Sequence, residues 1–168
     1  RLHVMHMMQR MRARPAAAAA GATRLADLID RARPSIRRRS TVFVVSDFIS
    51  EAGWEAPLSR LAQRHDVVAV RLYDPLEMTL PELGLVLMQD AETGEQLFVD
   101  TGARGFRERF EAAAQRREAE LRSALARAGV DTLELATDAD LADAILAFVD
   151  ARRQRSRMAA GALPLTRR

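Results

Sequence analysis

The chain has 168 residues, 48% of them hydrophobic and 29% charged, with a net charge of +3. These values suit one globular domain with a full core. Cysteine is absent, which excludes disulfide frameworks, thiolate metal sites and cysteine nucleophiles, and fits a reducing, cytoplasmic setting.

No apolar run approaches the roughly 18 residues that span a bilayer, so no membrane insertion is expected in this segment. The first residues, "RLHVMHMMQRMRARP", form a basic helical stretch without a cleavage pattern. Because the chain does not begin with Met, it reads as a fragment with further sequence upstream. Within 1–14, Val4, Met7, Met8 and Met11 make one helical stripe. His3 and His6 share a face there, but no third ligand is near, so they read as non-ligating. "PAAAAAGA", 15–22, is a low-complexity connector.

A helix follows through Leu25, Leu28, Ile29 and Ala32, with Thr23 placed to cap it and Pro34 to end it. "TVFVVSDFIS", 41–50, reads as a buried strand over 41–46 that runs into Ser46 and Asp47. An amphipathic helix over 54–65 carries Trp54, Leu58 and Leu61, and "DVVAVRLYD", 66–74, is a second strand. Residues 84–89 and 96–100 read as a β-hairpin turning at Glu92-Thr93-Gly94. One long helix over 103–128 aligns Phe106, Phe110, Ala113, Arg117 and Leu121, and Gly129 closes it. "DTLELA" is a short strand, a last helix starts near Asp138, and the tail 154–168 carries no periodicity and reads as loose.

The order of elements predicts a three-layer α/β/α, doubly wound, mainly parallel, Rossmann-like sheet with a β-hairpin insertion. Ligand sites in such sheets lie at the carboxyl ends of the strands. Ser46, Asp47 and Asp74 fall there, and Glu77 follows Asp74 through Pro75. These acids read as a rim for a partner or as loop-ordering acceptors. A hydrolase using them is the alternative. It lacks a glycine-rich phosphate loop, a nucleophile elbow and a partnered His, since His65 precedes its strand. The arginine clusters at 37–39 and 152–157 lack interleaved aromatics, so no nucleic-acid partner is expected and they read as solvated charge.

"FVVSDF", "RHDVVAVRLYDPLE" and "LPELGLVLMQDAETGEQLFVDT" together resemble the bacterial domain-of-unknown-function 58 (DUF58) family over about 21–153. The resemblance implies a von Willebrand factor A-like domain, here partial over 23–153 with its first strand or strands missing. It also implies a metal-ion-dependent adhesion site. Thr23 and Asp47 match two of its pieces, while the Asp-x-Ser-x-Ser piece is not in the chain and Phe48 stands where many metal-binding members have Gly. Mg²⁺ or Mn²⁺ is therefore expected only if the upstream part of the site is present, since two side-chain ligands are too few for a hard divalent ion. The resemblance further implies a non-enzymatic interaction module working with a MoxR-type AAA+ ATPase in chaperone-like maturation or metal insertion.

Overall fold

The computed structural model describes residues 24–89, 94 and 96–161. The expected helix 1–14, the connector 15–22, Thr23, most of the hairpin turn and residues 162–168 lie outside the described residues.

Helix α1 spans Leu25–Ala32 and passes into a 3₁₀ turn over Arg33–Ser35. Pro34 sits inside that turn, where a missing N–H is tolerated because early donors have no helical partner. The cap position falls on Arg24, not Thr23, and no side chain caps the helix there. Instead the Leu25 N–H donates to Ser50 Oγ at 3.1 Å, so a distant loop satisfies one of the exposed donors. Leu25 and Ile29 are buried, whereas Leu28 faces outward.

Strand β1 (Thr41–Ser46) pairs parallel with β2 (Asp66–Tyr73), and β2 pairs parallel with β5 (Asp131–Ala136). The sheet order is β1-β2-β5. Only β2, the middle strand, is buried along most of its length. The expectation that 41–46 is a buried strand is corrected here: β1 lies at the sheet edge, and Phe43 and Val45 are 61% and 58% exposed. Its apolar run marks a strand with two apolar faces, of which only the Val42 and Val44 face is packed.

That packed face carries Val67 and Ala69 of β2 against α1, helix α2 (Glu55–Ala62) and helix α3 (Arg104–Ala128). Leu58, Leu61 and Leu125 are fully or almost fully buried, each contributing roughly 1.5–3 kcal/mol by removal from water. The buried stripe of α3 runs through Ala114, Glu118 and Leu125, with Leu121 half-buried, and at Ala114 and Glu118 it lies one residue on from the expected Ala113 and Arg117. Gly129 ends α3 in the left-handed region at φ 72°, a conformation glycine adopts without steric cost.

Helix α4 (Leu141–Gly161) lies over the other face, where Val70, Leu133 and Leu135 share a cavity with Ile145, Phe148 and Val149. It starts after Asp140, whose Oδ1 accepts from the Asp143 N–H at 3.0 Å. The cap is therefore Asp140, not Asp138, and the helix continues to Gly161 through residues expected to be loose. Arg152 ties it to the sheet by pairing with Asp66 and, at 2.9 Å, with Asp131, while Arg155 reaches Asp131 at 2.8 Å. Two arginines of the 152–157 cluster are thus ion-paired at the amino ends of β2 and β5.

Strands β3 (Leu85–Gln89) and β4 (Gln96–Asp100) form a separate antiparallel hairpin, as expected. Thr101 closes its base: its N–H and its hydroxyl both donate to Gly84 O at 2.8 Å, and Oγ1 accepts from the Leu83 N–H at 3.0 Å. The chain is thus of α/β class with a parallel three-stranded sheet, helices on both faces and an added hairpin.

Candidate functional site

The carboxyl end of the sheet is built from five segments. β1 delivers Ser46 and Asp47, and β2 delivers Asp74. The 75–83 segment and the hairpin wall one side, and α3 the other. Asp47, Asp74 and Glu77 all line a single cavity of about 1160 Å³ there. The fold thus brings Asp47, Asp74 and Glu77 to one cavity. Ser46, beside them in sequence, is not among the residues lining the cavity.

Asp47 already has local partners. Its Oδ1 accepts from the Ile49 N–H at 3.0 Å and from the Ser46 hydroxyl at 3.3 Å. Ser46 Oγ accepts from the Phe48 N–H at 3.0 Å. These bonds fold the loop tightly enough that Phe48 takes φ 60°. A bulky residue rarely adopts this region, at a cost of about 1–2 kcal/mol. Burial of the ring against Trp54, with centroids 5.3 Å apart, offsets that cost. The backbone thus has the left-handed turn that glycine would provide, but the side chain anchors it in the core.

Asp74 and Glu77 bond reciprocally across the 3₁₀ turn Pro75–Glu77. Asp74 Oδ1 accepts from the Leu76 N–H at 2.9 Å, and Glu77 Oε1 accepts from the Asp74 N–H at 3.4 Å. This is a capping-box arrangement.

Among the described residues, no three His, Asp or Glu side chains group as a cation site requires. Asp47 is the one described member of the expected Thr23–Asp47 pair, and its Oδ1 is engaged by the loop. The described residues therefore do not by themselves fit a divalent ion.

Sequence reasoning missed the charged network under this rim. Arg71, in the middle strand, places Nη2 2.7 Å from Glu118 Oε2 of α3. Glu118 Oε1 lies 3.3 Å from Arg122 Nε, and Arg122 makes two 2.8 Å bonds to Glu134 of β5. Arg71 also stacks over the Tyr73 ring at 4.8 Å. The two Arg122 hydrogen bonds hold the Glu134 carboxyl below its ordinary value, against burial, which acts to raise it. Arg71 and Glu118 also line the cavity. The Arg71 Nε–H is buried and has no acceptor among the described residues. The available signal was "VVAVRLY" itself: a guanidinium inside an apolar strand requires a buried partner.

The hairpin adds a second kind of surface. Leu87 and Phe98 face each other across β3 and β4 and are 50% and 69% exposed. Leu85 shares that outward face and is also exposed. The opposite face carries Val86 and Met88 into the cavity and buries Val99.

Residues 1–120 match the model of the family described as protein of unknown function DUF58. An uncharacterised protein of Mycobacterium avium is 37% identical over 130 residues, covering 77% of this chain and 76% of the relative. An uncharacterised protein of Mycobacterium bovis is 34% identical over 156 residues, covering 92% of this chain. The chain spans 48% of the length of that second relative. No solved structure matches the chain.

Proposed function

The chain belongs to the DUF58 family, and we propose that it is a non-enzymatic protein-interaction module of von Willebrand A type. The observation that carries this reading is the hairpin. Leu85, Leu87 and Phe98 form an outward apolar patch on an element that does not extend the main sheet. Two-stranded hairpins are marginal alone, and apolar side chains displayed in this way mark contact surfaces. The acidic rim of Asp47, Asp74 and Glu77 lies next to it, on the cavity that the hairpin walls.

The partner in this reading is a MoxR-type AAA+ ATPase, with the module serving chaperone-like maturation or metal insertion in the cytoplasm. Support comes from the similarity of "FVVSDF" and "DPLE…LPELG" to the DUF58 family and from a parallel sheet with acids at its carboxyl ends. Mg²⁺ or Mn²⁺ at Asp47 would bridge to a partner carboxylate only with ligands beyond the described residues. Among the described residues no helix is long and apolar enough to cross a membrane.

Co-purification of the chain with a MoxR-type ATPase, together with the ATPase rate, tests the proposal. Retention and a changed rate are expected. Substituting Asp47→Ala should weaken retention by about tenfold or more, as for a residue at the centre of a contact. No retention and no change in rate would reject the reading.

A further inference from the structure

The cavity of about 1160 Å³ beneath the acidic rim is larger than most small-molecule sites. Its inner wall is apolar, with Met78, Leu80, Val86, Met88 and Phe110 among the lining residues. Its lining also carries Asp47, Glu55, Asp74 and Glu77, carboxylates that outnumber the Arg117 and Arg127 guanidiniums there, on a chain whose net charge is positive. Within it, Arg71 is more than nine-tenths buried, and its Nε–H lacks an acceptor among the described residues.

We propose that this cavity binds an extended peptide segment of a partner protein, apolar along one side and carrying Arg or Lys. Each feature has its counterpart. The apolar side chains enter between the hairpin and α3, and the basic side chain meets the carboxylates that line the cavity. Among the described residues the loop N–H bonds reach Oδ1 of Asp47 and of Asp74, which leaves carboxylate oxygen for that contact. A small anion or a nucleic acid would meet mostly apolar wall and an excess of carboxylates over guanidiniums. Met88 is 39% exposed, so the cavity is open to a segment arriving from outside. The proposal deepens the interaction reading above and rests on it.

The test uses the full chain and two fluorescent synthetic peptides, one alternating leucine with arginine and one with glutamate in place of each arginine. Anisotropy titration should show the arginine peptide binding at least about tenfold more tightly than the glutamate peptide, roughly 1.4 kcal/mol. Met88→Glu blocks the wall at a half-exposed position, and Asp47→Asn removes charge while retaining the acceptor for Ile49. Each should weaken binding by about tenfold and threefold respectively, with unchanged circular dichroism. Equal affinity for the two peptides, or indifference to Met88→Glu, overturns the proposal. A photo-cross-link from residues 1–14 of the same chain to Met88 assigns the groove to the chain's own start and also overturns it. Failed peptide binding with ATPase association intact removes the cavity assignment alone, whereas loss of both in the wild type removes the interaction reading too.

Discussion

The Arg71 guanidinium meets the Glu118 carboxylate at 2.7 Å with both side chains less than a tenth exposed. The pair joins the middle strand to the long helix directly under the cavity. The contact is a close ion pair without an aligned hydrogen bond on either Glu118 oxygen. Desolvation makes such a pair expensive, and removing one member is worse than removing both. Glu118→Ala should therefore cost roughly 3–5 kcal/mol in denaturant melts. The double change Arg71→Met with Glu118→Leu should recover most of that loss. A double variant as unstable as Glu118→Ala would show that the pair does more than neutralise itself.

Glu134 gives the stability a pH dependence of known sign. Its folded value is depressed by the Arg122 hydrogen bonds. A depressed carboxyl binds fewer protons folded than unfolded, so its contribution is present above the ordinary carboxylate value of about 4.3 and is lost as pH falls through the lowered one. Glu134→Gln should flatten the acid limb of the stability curve and leave the slope above neutrality unchanged. An identical acid limb in both proteins would count against this assignment.

Phe48 carries two opposed effects that one substitution separates. Phe48→Gly relieves the left-handed backbone, by about 1–2 kcal/mol, but deletes a buried ring worth about 3–5 kcal/mol. The net expectation is a loss of roughly 2–3 kcal/mol in thermal or denaturant melts. A stabilised variant would mean that the ring contact with Trp54 is worth less than its burial implies.

The two faces of β1 should respond differently. Phe43→Ser changes a largely exposed side chain and should alter stability by within about 0.5 kcal/mol. Leu58→Ala, in the fully buried core of the other face, should cost about 2–5 kcal/mol. Comparable losses at both positions would show that the Phe43 face is covered in solution.

Much of the element order was readable because each segment carries local signals. The β-branched run 41–46, the two strand-like runs of the hairpin and Gly129 after a long helix each specify their own conformation. What stayed hidden depends on distant residues. Nothing within "TVFVVS" reveals that β1 lies at an edge, because its two faces are equally apolar and neighbours decide which is covered. The helix α1 cap was misplaced because a loop serine 25 residues away supplies the acceptor. That Asp47 and Asp74 directly follow β1 and β2 was readable from the strand ends alone. The Arg71–Glu118 pair did not, since strand and helix meet only after the sheet is assembled. The stripe of α3 was displaced by one residue for the same reason: Glu118 is polar in sequence yet faces inward because Arg71 awaits it.

The central claim is that this chain works through contact surfaces displayed by the hairpin beside the acidic rim. The most direct measurement pairs association with the proposed partner, a MoxR-type AAA+ ATPase, and thermal melting in one variant, Leu87→Ser with Phe98→Ser. Both side chains face outward across the β3–β4 register. The account predicts that affinity falls by about tenfold or more. It also predicts that the melting midpoint moves by less than about 4 °C, under roughly 1 kcal/mol. Unchanged affinity, or a loss of affinity matched by a collapse in melting temperature, would contradict it.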